Sequence, residues 1–529
     1  MSFPAPEDNR TLVDALLAEQ QRLTAVERFS QAHERGDFSE REKHYRRLLP
    51  ASAPKPGQQY AFEVDLDKCS GCKACVTACH SLNGLDDNET WRSVGQLFSD
   101  DWRAPRQQTV TTACHHCVEP GCLEGCPVLA YDKDPLTGIV RHLDDQCIGC
   151  QYCVMKCPYE VPQYSARRGI VRKCDMCASR LAVGEAPACA QACPNEAIRI
   201  TLVDTDVLKA SFRASPAAAN PFLPASPAPA LTVPTTQFKS SQPLPSTLLA
   251  ANHAEIKTEP AHLPLVIMLV FSQLSVGSAC AAIAHPAAGK LAVISAVTGQ
   301  LAILVASLHL GKPLKAWRAF LGWRQSWFSR EVIVFSAFLG FALPAAAANW
   351  IPVLLPHQGK LLAAAALTGL AGMFCSAMIY ADTGREFWRR SQCLGKFFGT
   401  TWLLGSLVLL VVTGQPGGWL VGLIFTAAVF KLAVEQRIAR ELPEGDALTL
   451  TSLNKSALLL KGPLGLAARG RIAAGMLGGI ALPGLCLVLP HFKALAVAAL
   501  TLAVLGELLE RYLFFTAVAP VKMPGGFSA

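Results

Sequence analysis

The sequence predicts an α+β domain joined by a Pro/Ala-rich linker to an all-α transmembrane anchor. Three observations support this division of the 529 residues. Sixteen of the 20 cysteines fall between Cys69 and Cys193, among short segments with β-strand patterning. A stretch rich in Pro, Ala and Ser follows, and from residue 263 onward the chain consists of long apolar blocks.

We expect five regions along the chain. They are an N-terminal helical and extended arm (1–58), the cysteine-rich domain (59–203), the linker (204–262), the membrane anchor (263–515) and a C-terminal tail (516–529). Apolar residues recur at helical spacing over residues 10–35, which predicts a helix within the arm.

Alternating apolar residues predict strands beside the cysteines. Tyr60, Phe62, Val64 and Leu66 alternate with other residues and lead directly to Cys69. The segment GIVRHLDDQC precedes a later cysteine group, and AIRITLV follows the last one. Short strands next to cysteine loops that turn into short helices predict a repeated ferredoxin-like unit.

The sixteen cysteines form four groups with the tight spacing of metal ligands. The groups are Cys69, Cys72, Cys75, Cys79; Cys114, Cys117, Cys122, Cys126; Cys147, Cys150, Cys153, Cys157; and Cys174, Cys177, Cys189, Cys193. Three closely spaced thiolates hold one cluster, while the fourth cysteine, followed by proline in three groups, binds a different cluster. Zinc ribbons do not need this arrangement, so we expect four [4Fe–4S] clusters.

Eight apolar blocks in the second half each approach the roughly 20 residues that a helix needs to cross a bilayer. They lie near residues 264–284, 291–310, 331–352, 361–380, 397–413, 419–434, 472–489 and 494–513. Eight such blocks in succession argue against a large soluble protein. We therefore predict eight spans.

The distribution of basic residues predicts the orientation of these spans. Loops 311–330, 381–396 and 435–471 are rich in Lys and Arg, and the opposite loops contain few basic residues. The positive-inside rule places the basic loops, the cysteine-rich domain and the C-terminus in the cytoplasm. The net charge of +8 fits such loops better than a nucleic-acid-binding surface.

We expect a multi-pass protein of the bacterial inner membrane. The first thirty residues lack the basic start and apolar core of a signal peptide, so the cysteine-rich domain should fold in the cytosol. Thiols stay reduced there and available to metal.

Polar groups at the ends of the apolar blocks are candidates for a redox site. The histidines at these ends are His262, His285, His309, His357 and His491. They offer no convincing facing pair of axial ligands, so we expect no haem. His309 ends the second block and Glu331 opens the third, both on the side of the cysteine-rich domain. Oxidation of quinol releases two protons, which such a pair could accept.

The cysteine groups resemble those of the four-cluster electron-transfer (B) subunits of dimethyl sulfoxide reductase-type molybdoenzymes. The resemblance covers about residues 60–203 and includes CHHCVEPGCLEGCP and CDMC…ACAQACP. It implies that the first group interleaves with the fourth and the second with the third. The implied ligand sets are Cys69/Cys72/Cys75/Cys193, Cys79/Cys174/Cys177/Cys189, Cys114/Cys117/Cys122/Cys157 and Cys126/Cys147/Cys150/Cys153. Because Cys122 is present, all four clusters are expected to contain four irons.

The segments SLHLGKPLKAW, SWFSREV and MIYADTGREFW resemble the membrane-anchor (C) subunit of the same enzymes, over about residues 260–515. This resemblance implies eight spans, no haem and a menaquinol site near the iron–sulfur partner. The histidine and glutamate implicated in quinol binding in that family match His309 and Glu331. Arg318, Arg324 and Arg330 fit either a docking surface or a role in topology.

We interpret the chain as a natural fusion of these two subunits. It would carry electrons between membrane quinol, menaquinol or ubiquinol, and a separate molybdopterin-containing catalytic subunit, as in anaerobic respiration. No catalytic residue for the terminal reaction is expected in this chain, and nucleic acid is not an expected partner. Three alternatives stay open: reverse flow from a cytoplasmic sulfite-type dehydrogenase to quinone, a stand-alone ferredoxin:quinone oxidoreductase, and a non-catalytic redox sensor.

Overall fold

The computed structural model describes residues 47–526 with gaps, together with a few isolated positions between residues 11 and 34. The gaps are residues 100–104, 215–221, 284, 286, 443–449 and 490–491. The helix expected over residues 10–35 therefore lies almost entirely outside the described residues.

The cysteine-rich part is built from short strands and short helices, as the sequence predicts. Its strands are β1 (Gln58–Asp65), β2 (Ser93–Phe98), β3 (Gln107–Thr112), β4 (Tyr131–Lys133), β5 (Val140–His142), β6 (Gln163–Ser165), β7 (Ile170–Arg172) and β8 (Ile198–Asp204). Its helices are α1 (Ala74–Asn83), α2 (Gly121–Gly125), α3 (Tyr152–Lys156), α4 (Ala178–Ala182) and α5 (Ala188–Gln191).

Strand pairing explains the repeated pattern of the sequence. The first strand, β1, pairs antiparallel with the last, β8, so the chain enters and leaves this domain through neighbouring strands. Between them, β2–β3, β4–β5 and β6–β7 are antiparallel pairs. The second, third and fourth cysteine groups each begin just after one of these pairs. The expected internal repeat is therefore a strand pair followed by a cysteine loop.

The segment expected to be a linker is largely folded onto the cysteine-rich domain. It contains α6 (Thr205–Ala214), β9 (Gln237–Lys239), which pairs parallel with β1, and β10 (Leu249–Ala250), which pairs with β2. The apolar side chains Phe222 and Val233 of this segment are buried. Their removal from water stabilises the packing of the segment on the domain. The described part of 204–262 is thus an integral layer of the domain rather than a free spacer.

Long helices form the second half. They are α7 (Leu263–Ala282), α8 (Ala288–Ser307), α9 (Trp327–Ala347), α10 (Gln358–Ala381), α11 (Arg390–Thr413) and α12 (Gly418–Ala439). After them come α13 (Ser452–Lys461), α14 (Gly465–Met476), a π-helical turn (Leu477–Ala481), α15 (Leu482–Leu485) and α16 (Phe492–Thr516).

Six helices among the described residues are long and apolar enough to cross a membrane, and they correspond to α7 through α12. The seventh predicted block is helical but contains the π-helical turn, and the eighth lies within α16. Apolar side chains such as Leu304 and Leu367 cover the outside of the helices. The chain is therefore an integral membrane protein.

The two parts of the chain are in direct contact through the loop between α8 and α9. The backbone N–H of Lys312 donates to Ile148 O at 3.0 Å, and that of Gly322 donates to Pro127 O at 2.8 Å. Arg318 also donates to Asp145 O at 3.0 Å, so this arginine contributes to the contact. A Cβ atom on Gly311 would lie 2.2 Å from the carbonyl oxygen of Gly169. The close approach of the loop to Gly169 therefore requires glycine at position 311.

Candidate functional site

The structure brings the sixteen cysteines together in four sets of four, with the membership that the family resemblance implies. Sulfur atoms interact electrostatically within each set. We number the sets by distance from the membrane anchor: set 1 (Cys126, Cys147, Cys150, Cys153), set 2 (Cys114, Cys117, Cys122, Cys157), set 3 (Cys79, Cys174, Cys177, Cys189) and set 4 (Cys69, Cys72, Cys75, Cys193).

Left-handed backbone residues shape the cysteine loops. Gly149 in the third group and Gly71 in the first have φ angles of 69° and 74°, and Met176 in the fourth has a φ angle of 60°. Such turns direct backbone N–H groups toward the sulfur atoms. Gly149 N lies 3.4 Å from Cys147 Sγ, and Met176 N lies 3.4 Å from Cys174 Sγ. These donors stabilise thiolate charge.

The donor atoms fit iron–sulfur clusters. Two cavities are each lined by one complete set, set 2 and set 4. Burial raises the pKa of the Cys79 thiol to about 12 and that of Cys126 to about 11, so ionisation of these sulfurs requires a bound cation. No group of three or more potential ligands among the described residues converges on a single metal ion. In a [4Fe–4S] cluster, by contrast, each cysteine binds its own iron.

The four sets form a row. Sets 1 and 2 share helix α2 and its C-terminal end, which carry Cys122 and Cys126. Sets 2 and 3 meet where Cys174 interacts with Cys114, and Lys173 Nζ lies 3.6 Å from Cys114 Sγ. Sets 3 and 4 meet through Cys75 and Cys189. Cys72 of set 4 is exposed, so the row ends at the surface.

Set 1 lies against the membrane anchor. The side chains of Ser326 and Ser329, at the start of α9, donate to Gly125 O at 2.6 Å and Pro127 O at 3.1 Å, on either side of Cys126. Tyr152 follows Gln151 in the same loop as Cys150, and its ring packs 6.2 Å from that of Phe328. Set 1 is thus the set nearest the expected quinol site.

His309 lies beside set 1. Its ring has a backbone hydrogen bond with Cys150, and its buried Nε2 atom finds no hydrogen-bond partner among the described residues. Burial and, to a smaller extent, the neighbouring His262 lower the pKa of His309 to about 4, although the hydrogen bond with Cys150 opposes the shift. The ring is therefore neutral at physiological pH.

Glu331 lies near the start of helix α3. Its side chain is buried one turn after Phe328, beside Ser376, and its Oε1 atom has no hydrogen-bond partner among the described residues. It is within electrostatic range of Tyr152 and Tyr380. His309 and Glu331 therefore lie near Cys150 and Tyr152, two residues apart in the chain, but are not hydrogen-bonded to each other.

A cavity of about 320 Å³, lined by His262 but not by His309, was not foreseen from the sequence. Its lining includes Gln151, Val154, Glu259, His262, Arg385, Trp388 and Phe515. The His262 and His309 rings are in contact, with centroids 5.2 Å apart. The sequence did not predict this contact between His262 and His309. The expectation of no haem stays a prediction. Direct ring contact is not the arrangement of two axial ligands on opposite faces of a haem.

Comparisons with known proteins agree with these two parts. Residues 106–202 match the family described as 4Fe-4S dicluster domain, and residues 257–516 match the DMSO reductase anchor subunit (DmsC) family. The probable anaerobic dimethyl sulfoxide reductase subunit YnfG of Escherichia coli K12 is 38% identical over 148 residues, which cover 26% of this chain and 72% of that relative.

Two further relatives match the same domain. The anaerobic dimethyl sulfoxide reductase B subunit of Haemophilus influenzae is 35% identical over 156 residues, 28% of this chain and 76% of its own. The formate dehydrogenase iron-sulfur subunit of the same organism is 35% identical over 170 residues, 29% of this chain and 54% of its own.

Fold and site together define a membrane-anchored iron–sulfur electron-transfer protein. The chain belongs to the dimethyl sulfoxide reductase family, in which it combines an iron–sulfur B subunit and an anchor subunit in one polypeptide.

Proposed function

We propose that this chain carries electrons between membrane quinol and a separate molybdopterin-containing catalytic subunit. The observation that supports this function best is the contact between His309 of the membrane anchor and Cys150 of set 1. It puts a candidate quinol ligand directly beside the first cysteine set of a row that ends at exposed Cys72.

The sixteen cysteines of sets 1 to 4 would each bind one iron of four [4Fe–4S] clusters. Such a cluster takes up and gives up single electrons, which suits the stepwise oxidation of a two-electron donor. The protein stabilises the negative charge of the clusters through backbone N–H donors to sulfur. Buried cations add to this: Arg92 lies near sulfurs of sets 3 and 4, and Lys173 near sulfurs of sets 2 and 3.

The quinol ring would occupy the cavity beside His262. Its volume of about 320 Å³ suits a ring of this size, and Trp388 and Phe515 supply aromatic surface. Burial and the charge of Arg385 lower the pKa of His262, although Glu259 opposes this effect. The ring of His262 is therefore neutral and can accept a hydrogen bond from a quinol hydroxyl, with His309 behind it and Glu331 as a proton acceptor.

We further propose eight membrane spans within the anchor region 263–515, with the iron–sulfur domain on the cytoplasmic side. The match of residues 257–516 to the anchor family supports the count, and the basic loops support the orientation. A reporter enzyme fused after Ala529 should be active in the cytoplasm; activity in the periplasm would contradict the span count or the orientation.

The function is tested with the Glu331→Lys variant of the full chain with its clusters assembled. We expect that quinol no longer reduces the clusters of Glu331→Lys, whereas dithionite still reduces them. A variant that quinol reduces at the normal rate would place the quinol site elsewhere.

A second candidate function is the reverse flow, from a cytoplasmic donor dehydrogenase to quinone. The likeness to a formate dehydrogenase iron-sulfur subunit favours this candidate, since the name of that relative describes the donor direction. Co-purification with a molybdenum-containing subunit, followed by assays of its substrate, separates the two directions.

A further inference from the structure

A cluster of seven charged side chains lies inside the membrane anchor. Its members are Lys396 of α11, Lys431 and Glu435 of α12, Arg471 of α14, and Glu507, Glu510 and Arg511 of α16. Every one of these side chains is 11% exposed or less. Charges inside a membrane are costly and are usually retained where a protein moves ions or protons.

The charged groups form a continuous chain of contacts. Lys431 Nζ lies 2.5 Å from Glu507 Oε2, and Arg471 Nη2 lies 2.9 Å from Glu507 and 2.8 Å from Glu435. The hydroxyl of Thr400 lies 2.6 Å from both Lys431 Nζ and Glu507. Hydrogen bonds thus join Lys431, Thr400, Glu507, Arg471 and Glu435. Glu510 continues the cluster as an ion pair, 3.7 Å from Lys431 Nζ and 3.3 Å from Lys396 Nζ.

The cluster carries one more positive charge than negative. Four cations face three carboxylates, and the nearby titratable side chains Cys393 and Tyr380 add no negative charge in their neutral forms. Gln273, from α7, contributes only an amide. A buried charge without a partner is costly. Counted over the described residues, the cluster holds one proton more than its carboxylates balance.

Lys396 is the cation best placed to exchange that proton. Among the described residues, Glu510 is the only carboxylate within 4.0 Å of the Lys396 ammonium, at 3.3 Å. Lys431, by contrast, lies near three carboxylates, those of Glu435, Glu507 and Glu510. Its other neighbours are the rings of Phe387 and Phe514, at 5.1 and 5.4 Å.

Tyr380 connects this end of the cluster to the quinol site. Its ring lies 5.0 Å from that of Phe514 and 5.3 Å from that of Trp388, which lines the cavity. It is within electrostatic range of both Glu331 and Arg511. The Tyr380 ring and the Lys396 ammonium both lie next to Phe514. A phenol can release one proton as it accepts another, which makes Tyr380 the candidate link between Glu331 and the cluster.

We propose that the cluster is a proton-exchange site that takes up a proton released by quinol, with Lys396 as the entry and Glu435 as the exit. This inference rests on the proposed quinol oxidation. Each quinol that becomes a quinone breaks two O–H bonds and yields two electrons to the iron–sulfur domain and two protons. One proton passes through Glu331 and Tyr380 to Lys396, whose ammonium passes a proton of its own to Glu510. The cluster returns one proton to water at Glu435, four residues before the end of α12. The second proton leaves the cavity by way of His262.

The test compares Lys396→Met and Glu435→Gln with Glu386→Gln, an exposed carboxylate near the start of α11. The full chain with assembled clusters is placed in lipid bilayers and mixed rapidly with quinol in H₂O and in D₂O. The inference predicts that both cluster variants reduce about a hundred-fold more slowly, with a larger solvent isotope effect than the wild type. Dithionite should still reduce them fully, and Glu386→Gln should behave as the wild type.

Stability provides a readout that is independent of electron transfer. Lys396→Met balances the charges, so its thermal unfolding midpoint should equal or exceed that of the wild type. A folded Lys396→Met or Glu435→Gln chain with wild-type rate and isotope effect overturns the inference, and the cluster is then purely structural. If Lys396→Met does not fold, the excess charge is not unfavourable and the inference fails. A wild-type chain that dithionite reduces and quinol does not overturns the proposed function, and this inference with it.

Discussion

The hydroxyl of Tyr152 donates a 3.0 Å hydrogen bond to the carbonyl oxygen of Ile379. Tyr152 begins α3, between two cysteines of set 1, and Ile379 lies near the end of α10. One buried hydrogen bond thus fixes the first cysteine set directly to the membrane anchor.

Removal of this hydroxyl should weaken the attachment without disturbing the cysteines. The Tyr152→Phe variant leaves the Ile379 carbonyl unpaired, and we expect a loss of about 1 kcal/mol in the free energy of unfolding. Denaturation followed by near-UV circular dichroism measures this loss, with Tyr60→Phe as the control. An unchanged stability would mean that the contact is not formed in the membrane.

Replacement of single cysteines should separate the two ends of the row. Cys153→Ser in set 1 and Cys72→Ser in set 4 should each lower the iron content from about sixteen to about twelve atoms per chain. Only Cys153→Ser should prevent quinol from reducing the remaining clusters, because set 1 lies next to the anchor. Electron paramagnetic resonance after quinol addition checks this difference; equal effects of both variants would contradict the order of the sets.

The contact between the two parts should not tolerate a side chain at Gly311. Its Cβ atom would lie 2.2 Å from the carbonyl oxygen of Gly169, so one backbone must move. We expect Gly311→Ala to cost about 1–3 kcal/mol and to slow reduction by quinol. Gly340→Ala is the matched control, since nothing lies within 4 Å of its added Cβ. Wild-type stability and rate in Gly311→Ala would show that the contact is not close.

The lowered pKa of His262 predicts where the rate depends on pH. Burial lowers the pKa of this imidazole from 6.5, so the ring takes up a proton only at a lower pH than an exposed histidine does. The rate of quinol-dependent reduction by the wild type should therefore fall only below pH 6.5, with an inflection that is missing in His262→Gln. A wild-type inflection at or above pH 6.5 that disappears in His262→Gln would contradict this assignment.

Sequence reasoning succeeded where local spacing decides the structure. The cysteine loops, the strands that precede them and the apolar helices follow from contacts between residues close in the chain. It failed where distant segments meet. Proline-rich composition gave no sign that Phe222 and β9 would pack on the cysteine-rich domain. The contact of His262 with His309 and the charged cluster around Lys431 arise only when separate helices pack together.

Quinol should deliver electrons to set 1 within this single chain. The purified chain, with its clusters assembled and no catalytic partner present, is mixed rapidly with a reduced menaquinone analogue. We expect the iron–sulfur absorbance to bleach in the wild type and in Glu386→Gln, and not in Glu331→Lys. Clusters that stay oxidised with quinol, although dithionite reduces them, would rule out electron transfer from quinol to set 1.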